Sequence, residues 1–211
     1  MDHALEQSWE QVRRLAEQYD DEWEGQDLAG DSPLQLFTAG SVPRRVLIVT
    51  KEAVASRLPR YWSSGFVAVV KSGVFTSAQA AVLDQLASDE LLPIPFIGDA
   101  DPMGLHTYLS LKSQLGGSRV RFCGICDSVL DMIGEDDAQP EKLESLALSL
   151  FDRAHLQVVE ALAAPEEVLG SRVARILRNG RKIELESLSF RAELMIPALF
   201  NAALRLAHRT T

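Results

Sequence analysis

The stretch PIPFIGDADPMG, residues 93–104, joins an apolar segment to two closely spaced aspartates. Its apolar run, residues 94–97, predicts a buried β-strand, and Pro102 predicts the first turn of a helix. Asp99 would then lie at the carboxyl end of the strand, where open α/β sheets place their ligand sites. Asp101 follows two residues later, so both carboxylates can approach one point beyond the strand.

This pair of acidic side chains supports two interpretations. Carboxylate oxygens repel each other unless a cation lies between them, and hard oxygen ligands suit Mg²⁺, so a metal site at Asp99 and Asp101 is one prediction. The structural alternative is that Asp101 caps the helix that starts at Pro102, while Asp99 is solvated. A D-x-D pattern alone is compatible with both.

Strand-like and helix-like patterns alternate on both sides of this stretch. Apolar, β-branched runs predict strands at residues 45–50, 66–70, 94–97 and 119–123. Helical patterns between them cover residues 52–58, 77–88 and 102–115. The alternation predicts a parallel sheet flanked by helices, because each helix returns the chain to the same end of the sheet.

The carboxyl-terminal part of the chain has a mostly helical pattern, from residue 127 to residue 207. Breaks are predicted at Pro140, Pro165 and Asn179–Gly180, and a last helix is predicted to start near Pro197. The sequence therefore predicts an α/β domain over residues 42–135, followed by an α-helical extension over residues 136–211.

Residues 1–41 differ from the rest in composition. An apolar seam at helical spacing predicts an acidic helix over residues 2–24, and a stretch rich in Gly, Asp, Ser and Pro predicts a linker over residues 25–33. The seam contains Trp9 and Trp23. Either the helix packs on its own domain, or these two tryptophans bind a partner protein.

Charge is concentrated at the amino-terminal end of the chain. The net charge is −9, and residues 1–40 account for −8 of it, with ten acidic residues and two arginines. An acidic chain argues against nucleic-acid binding, whereas a nearly neutral body that carries an acidic arm does not. One hypothesis is that the arm covers the basic part of the body and excludes DNA until a partner displaces it.

Length and composition are those of a globular protein of 211 residues, 46% hydrophobic and 24% charged. No apolar run approaches the roughly 20 residues that span a bilayer, so we expect no membrane contact. The start MDHALEQSWE lacks the regions of a secretory signal, and two cysteines are too few for a disulfide scaffold. An intracellular location is therefore expected.

Cysteines and histidines offer weaker signals. Cys123 and Cys126 form a C-x-x-C motif after the fourth predicted strand. Zinc would need histidines as well, and the four histidines are isolated in the sequence, so core packing is favoured over zinc or redox chemistry. His106 follows the aspartates and could face a phosphate, although an ordinary helix histidine is the simpler interpretation.

Four stretches resemble, in order, the Toprim domain of the topoisomerase VI A subunit and of the related meiotic protein that cuts both DNA strands. They are residues 46–54 (VLIVTKEAV), 70–76 (VKSGVFT), 96–105 (FIGDADPMGL) and 176–189 (ILRNGRKIELESLS). They are similar to that family's first strand and turn, its Gly-rich second turn, its aspartate motif and its late Lys-x-Glu-rich helix. The resemblance implies a Toprim-like α/β fold.

The same resemblance implies a DNA-directed function. Asp99 and Asp101 would hold Mg²⁺ and act in catalysis. The chain would form a homodimer, or a complex with a protein that supplies an ATPase or a tyrosine. The implied location is the cytoplasm of a prokaryote or the nucleus of a eukaryote.

Two departures from the family pattern weaken the implied activity. Thr50 stands where the family has a metal-binding glutamate, which removes one formal negative charge, and Glu52 would have to compensate. The family's nucleophilic tyrosine belongs to a winged-helix domain ahead of the Toprim unit. Only about 42 residues precede the first predicted strand, too few for the core of such a domain, so we expect no tyrosyl–DNA intermediate from this chain alone.

Basic residues are candidates for phosphate contacts. Lys51 and Lys71 lie at predicted turns near the metal end of the sheet, and Arg175 and Arg178 lie on a basic helix. The alternative for the arginines is a solvated face that is paired with nearby acidic residues, Glu166, Glu167, Glu184 and Glu186.

The resulting expectation is a stand-alone relative of the topoisomerase VI A subunit, which acts on DNA or binds it within a complex, with a weakened Mg²⁺ site. A Mg²⁺-dependent hydrolytic nuclease is the first alternative. The second is a non-catalytic α/β binding or regulatory module, although the sequence lacks the G-x-x-x-x-G-K-[ST] phosphate loop.

Overall fold

The computed structural model of the chain describes residues 35–38, 45–57, 66–70, 73–87, 93–134, 139–189 and 195–207. Within these residues the chain has a mixed α/β fold, in which helices flank a largely parallel sheet and a helix ends the described chain. The predicted helix at residues 2–24, the linker at 25–33 and the side chains of Trp9, Trp23 and Lys71 lie outside the described residues.

The main sheet has five strands. In chain order they are β1 (Gln35–Thr38), β2 (Arg45–Val49), β3 (Phe66–Val70), β4 (Ile94–Ile97) and β5 (Val120–Phe122). Their order in space is β1-β3-β2-β4-β5, with β2 to β5 mutually parallel and β1 antiparallel to β3 at one edge. The predicted parallel sheet is confirmed, whereas the edge strand β1 was not predicted.

Helices follow the strands as the sequence predicts. In the α/β part they are α1 (Glu52–Ala55), α2 (Ser77–Leu86), α3 (Pro102–Leu115) and α4 (Asp127–Ile133). The later elements are a 3₁₀ turn (Pro140–Lys142), β6 (Leu146–Ala147), α5 (Leu150–Glu160), α6 (Pro165–Leu169), α7 (Ser171–Arg178), β7 (Arg181–Lys182), α8 (Glu186–Ser189) and α9 (Met195–Ala207).

The central strands are buried on both faces of the sheet. Leu47, Ile48 and Val49 of β2 are fully buried, although successive side chains of a strand point to opposite faces. Phe96 and Ile97 of β4 are buried in the same way. Helices therefore cover both sides, which explains why these strands are continuous apolar runs in the sequence.

The terminal helix α9 belongs to the core of this chain. Its apolar side chains, among them Ile196, Leu199 and Phe200, are buried, and the helix packs against α4 and β4. The apolar character of this helix therefore gives no separate support to the expected homodimer. In the part of the chain that the structure describes, no helix is long and apolar enough to cross a bilayer.

The late helix expected over residues 176–189 is wrong as a continuous element. Helix α7 ends at Arg178, and Gly180 has a φ of 77°, a left-handed conformation that commonly follows a helix end. The chain then pairs as β7 with β6, and Ile183 forms a bridge to Ala100 before α8 begins. The predicted break at Asn179–Gly180 is confirmed.

Candidate functional site

Three separate segments of the chain meet at the carboxyl end of the sheet. Strands β2 and β4 are parallel neighbours, and the N–H of Thr50 donates to the carbonyl of Ile97 at 3.0 Å, so both strands end at the same edge. The third segment joins this edge through backbone hydrogen bonds between Ala100 and Ile183, 2.9 and 3.3 Å long. The loop after β2, the loop after β4 and the segment 183–186 therefore share one locality.

Lys51 is at the centre of this locality. Its Nζ lies 3.4 Å from Oδ2 of Asp99, 3.7 Å from Oε2 of Glu184 and 3.5 Å from Oε1 of Glu186. We call these four residues the Lys51 cluster. The Lys51 side chain is 28% exposed, and that of Asp99 only 6%, so the cluster lies at the boundary between core and solvent.

Asp99 is the most buried member of the Lys51 cluster. Its Oδ1 accepts a hydrogen bond of 2.7 Å from the N–H of Leu185, and its Oδ2 faces Lys51. Burial raises the pKa of Asp99 well above its usual value, and the nearby Asp101 carboxylate raises it further, while Lys51 acts in the opposite direction. The expectation of a solvated Asp99 is wrong, because the side chain is paired inside the fold.

The charge of Lys51 is stabilised by its neighbours. Burial lowers the pKa of the Lys51 ammonium, but the carboxylates of Asp99, Glu184 and Glu186 outweigh that effect and leave this pKa above its usual value. Lys51 was predicted as a phosphate contact, yet in the structure three carboxylates surround it. The ammonium is thus a permanent cation at this site at neutral pH.

Asp101 has a structural role at the start of α3. Its Oδ1 accepts a hydrogen bond from the N–H of Gly104, which confirms the predicted helix cap. A Cβ at Gly104 would lie 2.8 Å from the carbonyl oxygen of Asp99, so only glycine lets the helix start this close to the site. Burial raises the pKa of Asp101, and the Gly104 hydrogen bond and Lys182 lower it.

Further charged groups border the Lys51 cluster. Lys182 of β7 lies 3.4 Å from Asp152 at the start of α5 and 3.9 Å from Glu184. Asp152 also contributes to the capping box of α5 with Ser149. The edge of the sheet therefore brings five carboxylates and two lysines together, from segments that are far apart in the sequence.

The donor set suits Mg²⁺ in its chemistry, but the side chains as placed do not fit a bound ion. Mg²⁺ needs oxygens at about 2.1 Å, whereas the three carboxylates surround the Lys51 ammonium at 3.4–3.7 Å. Across the described part of the chain, no three His, Cys, Asp or Glu side chains are arranged to share one metal ion.

The two residues expected to complete or compensate the metal site do neither as placed. Thr50 Oγ1 is buried and has no hydrogen-bond partner, so the hydroxyl that stands in the glutamate position is directed into the protein. Glu52 lies exposed in the first turn of α1, whereas the carboxylate of Asp99 is buried. The predicted compensation by Glu52 therefore has no geometric support.

His106 and His155 form a buried pair that the sequence analysis missed. Nδ1 of His106 on α3 lies 2.7 Å from Nε2 of His155 on α5, and the two side chains are almost fully buried. Burial lowers the pKa of His106 to about 2 and that of His155 to about 4, so both rings are neutral at pH 7. The two histidines, isolated in the sequence, thus come together in the fold, and His106 does not face a phosphate from the surface.

The two cysteines are part of the core. Cys123 and Cys126 are buried free thiols, and Cys126 immediately precedes α4 as its N-cap residue. Burial raises the pKa of both thiols, that of Cys126 to about 12, so neither is a reactive thiolate at neutral pH. Core packing, the favoured interpretation, agrees with this placement.

The arginines of α7 lie on an exposed face and are paired with acidic side chains. Arg175 contacts Glu141 at 3.1 Å, and Arg178 contacts Glu166 at 2.7 Å and Glu160 at 3.5 Å. Pairing with Glu166 agrees with the solvated-face alternative, while a phosphate role for Arg175 and Arg178 stays a prediction. Glu184 and Glu186 face Lys51 instead.

The functional residues that sequence analysis missed are Glu184, Glu186 and the N–H of Leu185. Residues 182–186, KIELE, alternate charged and apolar side chains, and this period of two is typical of an extended segment with one charged face. That pattern was available in the sequence as a signal against a helix. The interpretation of the segment as a helix paired Glu184 and Glu186 with arginines, whereas in the structure they face Lys51.

Comparisons with known proteins add no further assignment. No protein-family model matches the chain, and no curated protein matches its sequence significantly. The resemblance described above therefore depends on the motifs and their order in this sequence, and the site depends on its own geometry.

Proposed function

We propose that the chain is a Toprim-like protein that binds DNA within a complex and contributes a binding platform, with weak Mg²⁺ affinity and no nucleophile of its own. The observation that supports this most is the meeting of Asp99, Asp101 and the segment 183–186 at the carboxyl end of β4. This is the position at which open α/β sheets take their ligands. The motifs at residues 96–105 and 176–189 contribute these same side chains.

A binding role is favoured over cleavage by the state of the site. The Lys51 ammonium already neutralises part of the carboxylate charge, so a divalent ion has less to gain there. Tyr108, the tyrosine within the described residues, is buried against Phe96 and Phe122, and burial raises its pKa. It is not available as a nucleophile.

Contacts with DNA are proposed on basic side chains outside the Lys51 cluster. The carboxylates at this edge outnumber its lysines, so phosphates must be bound by other cations as well as by Lys51. Lys71, Arg175 and Arg178 are the proposed contacts. A partner protein in the complex would supply the ATPase or the nucleophilic tyrosine that a topoisomerase needs to pass one DNA duplex through another.

A binding assay tests this proposal directly. We expect the full chain to bind a fluorescent DNA duplex in low salt, with an affinity that falls steeply as salt is added. The variants Lys71→Glu and Arg175→Glu/Arg178→Glu should each weaken binding by about fivefold or more, because phosphate contacts are lost and charge repulsion is introduced. Lys112→Glu, on α3, is the matched control and should leave binding nearly unchanged.

A plasmid assay separates the platform from the nuclease alternative. Incubation of supercoiled DNA with the protein and Mg²⁺ should leave the DNA intact if the chain is a platform. Mg²⁺-dependent nicking that Asp99→Asn abolishes would favour the nuclease instead. The absence of DNA binding by the full chain at low salt would contradict the DNA-directed proposal altogether.

A further inference from the structure

We propose that the Lys51 ammonium is a built-in cation of the Lys51 cluster, and that it competes with divalent metal ions for the carboxylates there. This deepens the function proposed above, because it explains why metal binding at the site is weak.

The geometry places a single positive charge between three carboxyl groups. Oxygens of Asp99, Glu184 and Glu186 lie 3.4–3.7 Å from Nζ, each beyond the length of a strong charged hydrogen bond. No one carboxylate therefore holds the ammonium as a tight partner. The lysine neutralises the group as a whole, as a metal ion in the middle of a carboxylate set does.

The backbone around the cluster is fixed, but its glutamates can adjust. Asp99 is held by the N–H of Leu185, and the segment 183–186 is held by the bridge between Ala100 and Ile183. The side chains of Glu184 and Glu186 are each 29% exposed, so they are less confined than the side chain of Asp99, which is 6% exposed. Removal of the ammonium would leave the three carboxyl groups without a cation, so a divalent ion could bind and draw their oxygens closer.

Mn²⁺ is a suitable probe, because it takes the same oxygen ligands as Mg²⁺ and free Mn²⁺ is measured by electron paramagnetic resonance. The Lys51→Met variant keeps much of the side-chain volume and removes the charge. We expect it to bind Mn²⁺ at least about tenfold more tightly than the wild-type chain, since the competing charge at 3.4–3.7 Å is gone.

Three further variants control this measurement. Lys112→Met removes one positive charge from α3, at a lysine whose Nζ lies 5.6 Å from the centre of the Tyr108 ring, and should bind Mn²⁺ as the wild type does. Lys51→Arg keeps a cation in the cluster and should also resemble the wild type. The double variant Lys51→Met/Asp99→Asn should lose the gain in Mn²⁺ affinity, which would show that the ion binds in the Lys51 cluster.

The inference is overturned if Lys51→Met binds Mn²⁺ no more tightly than Lys112→Met or the wild-type chain does.

If Lys51→Met does not fold in the absence of metal, the melting temperatures of Lys51→Met and Lys51→Gln are measured with added Mn²⁺. Recovery of the fold supports replacement of the lysine by metal, and failure of both variants to fold in millimolar Mn²⁺ overturns it. A gain of Mn²⁺ binding without any DNA binding would contradict the proposed function alone.

Discussion

Charged side chains meet in two regions of this molecule, and the regions differ in burial. In the Lys51 cluster the Asp99 side chain is 6% exposed, and the carboxylates come from segments far apart in the chain. On α7, the side chains of Arg175 and Glu141 are 64% and 52% exposed and form a simple surface pair. Similar chemical groups are therefore held in two different environments.

The difference shows where charge has structural consequences. Water screens the pair on α7, so either partner can be lost at little cost to the fold. In the cluster, a buried charge without its partner keeps its desolvation cost and loses the attraction that compensates it. The cation at the site thus stabilises the charged form of Asp99 in the core, whereas Arg175 and Arg178 of α7 are exposed and remain available to other ligands.

Asp99→Ala should give the largest effect among the single substitutions. It leaves the buried N–H of Leu185 without its acceptor, and the expected loss in the free energy of unfolding is about 1 to 3 kcal/mol. Denaturant unfolding measures it. Asp99→Asn keeps an acceptor oxygen, so it should lose less stability than Asp99→Ala does. Equal stability of Asp99→Ala and the wild type would show that the two regions do not differ as described.

The His106–His155 pair extends the comparison to buried groups that are neutral. A histidine with a lowered pKa binds fewer protons in the folded than in the unfolded chain. Its contribution to stability is therefore complete above pH 6.5 and is lost as the pH falls towards 4. Between pH 6.5 and 4.5, the free energy of unfolding of the wild type should fall by roughly 4 to 5 kcal/mol relative to His106→Gln/His155→Gln.

Denaturant unfolding of both proteins across this pH range provides the measurement. The free energy of unfolding of the double variant is subtracted from that of the wild type at each pH. This removes the opposite trend of the buried Asp99 and Asp101 carboxyl groups, whose raised pKa values favour the folded state as the pH falls. A difference that stays constant from pH 6.5 to pH 4.5 would contradict a buried, neutral pair.

Arg175→Ala should give the smallest effect on stability. The pair that it forms with Glu141 is exposed, so the free energy of unfolding should change by less than about 1 kcal/mol. Glu141→Ala should be equally mild. Chemical denaturation of both variants in low and high salt measures this. A loss as large as that of Asp99→Ala would remove the contrast between the two regions.

The parallel strands of the sheet were predictable because each has a recognisable local sequence pattern. Buried parallel strands are continuous apolar runs, and the runs at residues 66–70 and 94–97 have the same bounds as β3 and β4. The edge strand β1, QLFT, is not a continuous apolar run, and it forms by pairing with β3. The convergence of loops at one edge of the sheet follows from parallel topology, so the position of Asp99 was predictable too.

The partners of Asp99 and His106 were not predictable from local patterns. The hydrogen bond from Leu185 to Asp99 joins residues 86 positions apart, and the His106–His155 contact spans 49 positions. Such contacts depend on how the later segments pack across the α/β core, and sequence spacing carries no information about it. Lys51 was correctly placed at the edge of the sheet, but its role depends on the two glutamates that arrive from the far segment.

The bridge between Ala100 and Ile183 has a consequence for how the protein is made. The ribosome synthesises Asp99 long before Ile183 and Leu185. In the nascent chain this aspartate is therefore without the N–H donor of Leu185 and without its glutamate neighbours until those residues are made. Closing a loop of this length is slow compared with forming local helices. A chain that stops before residue 183 would therefore lack the finished edge of the sheet, even with all five strands present.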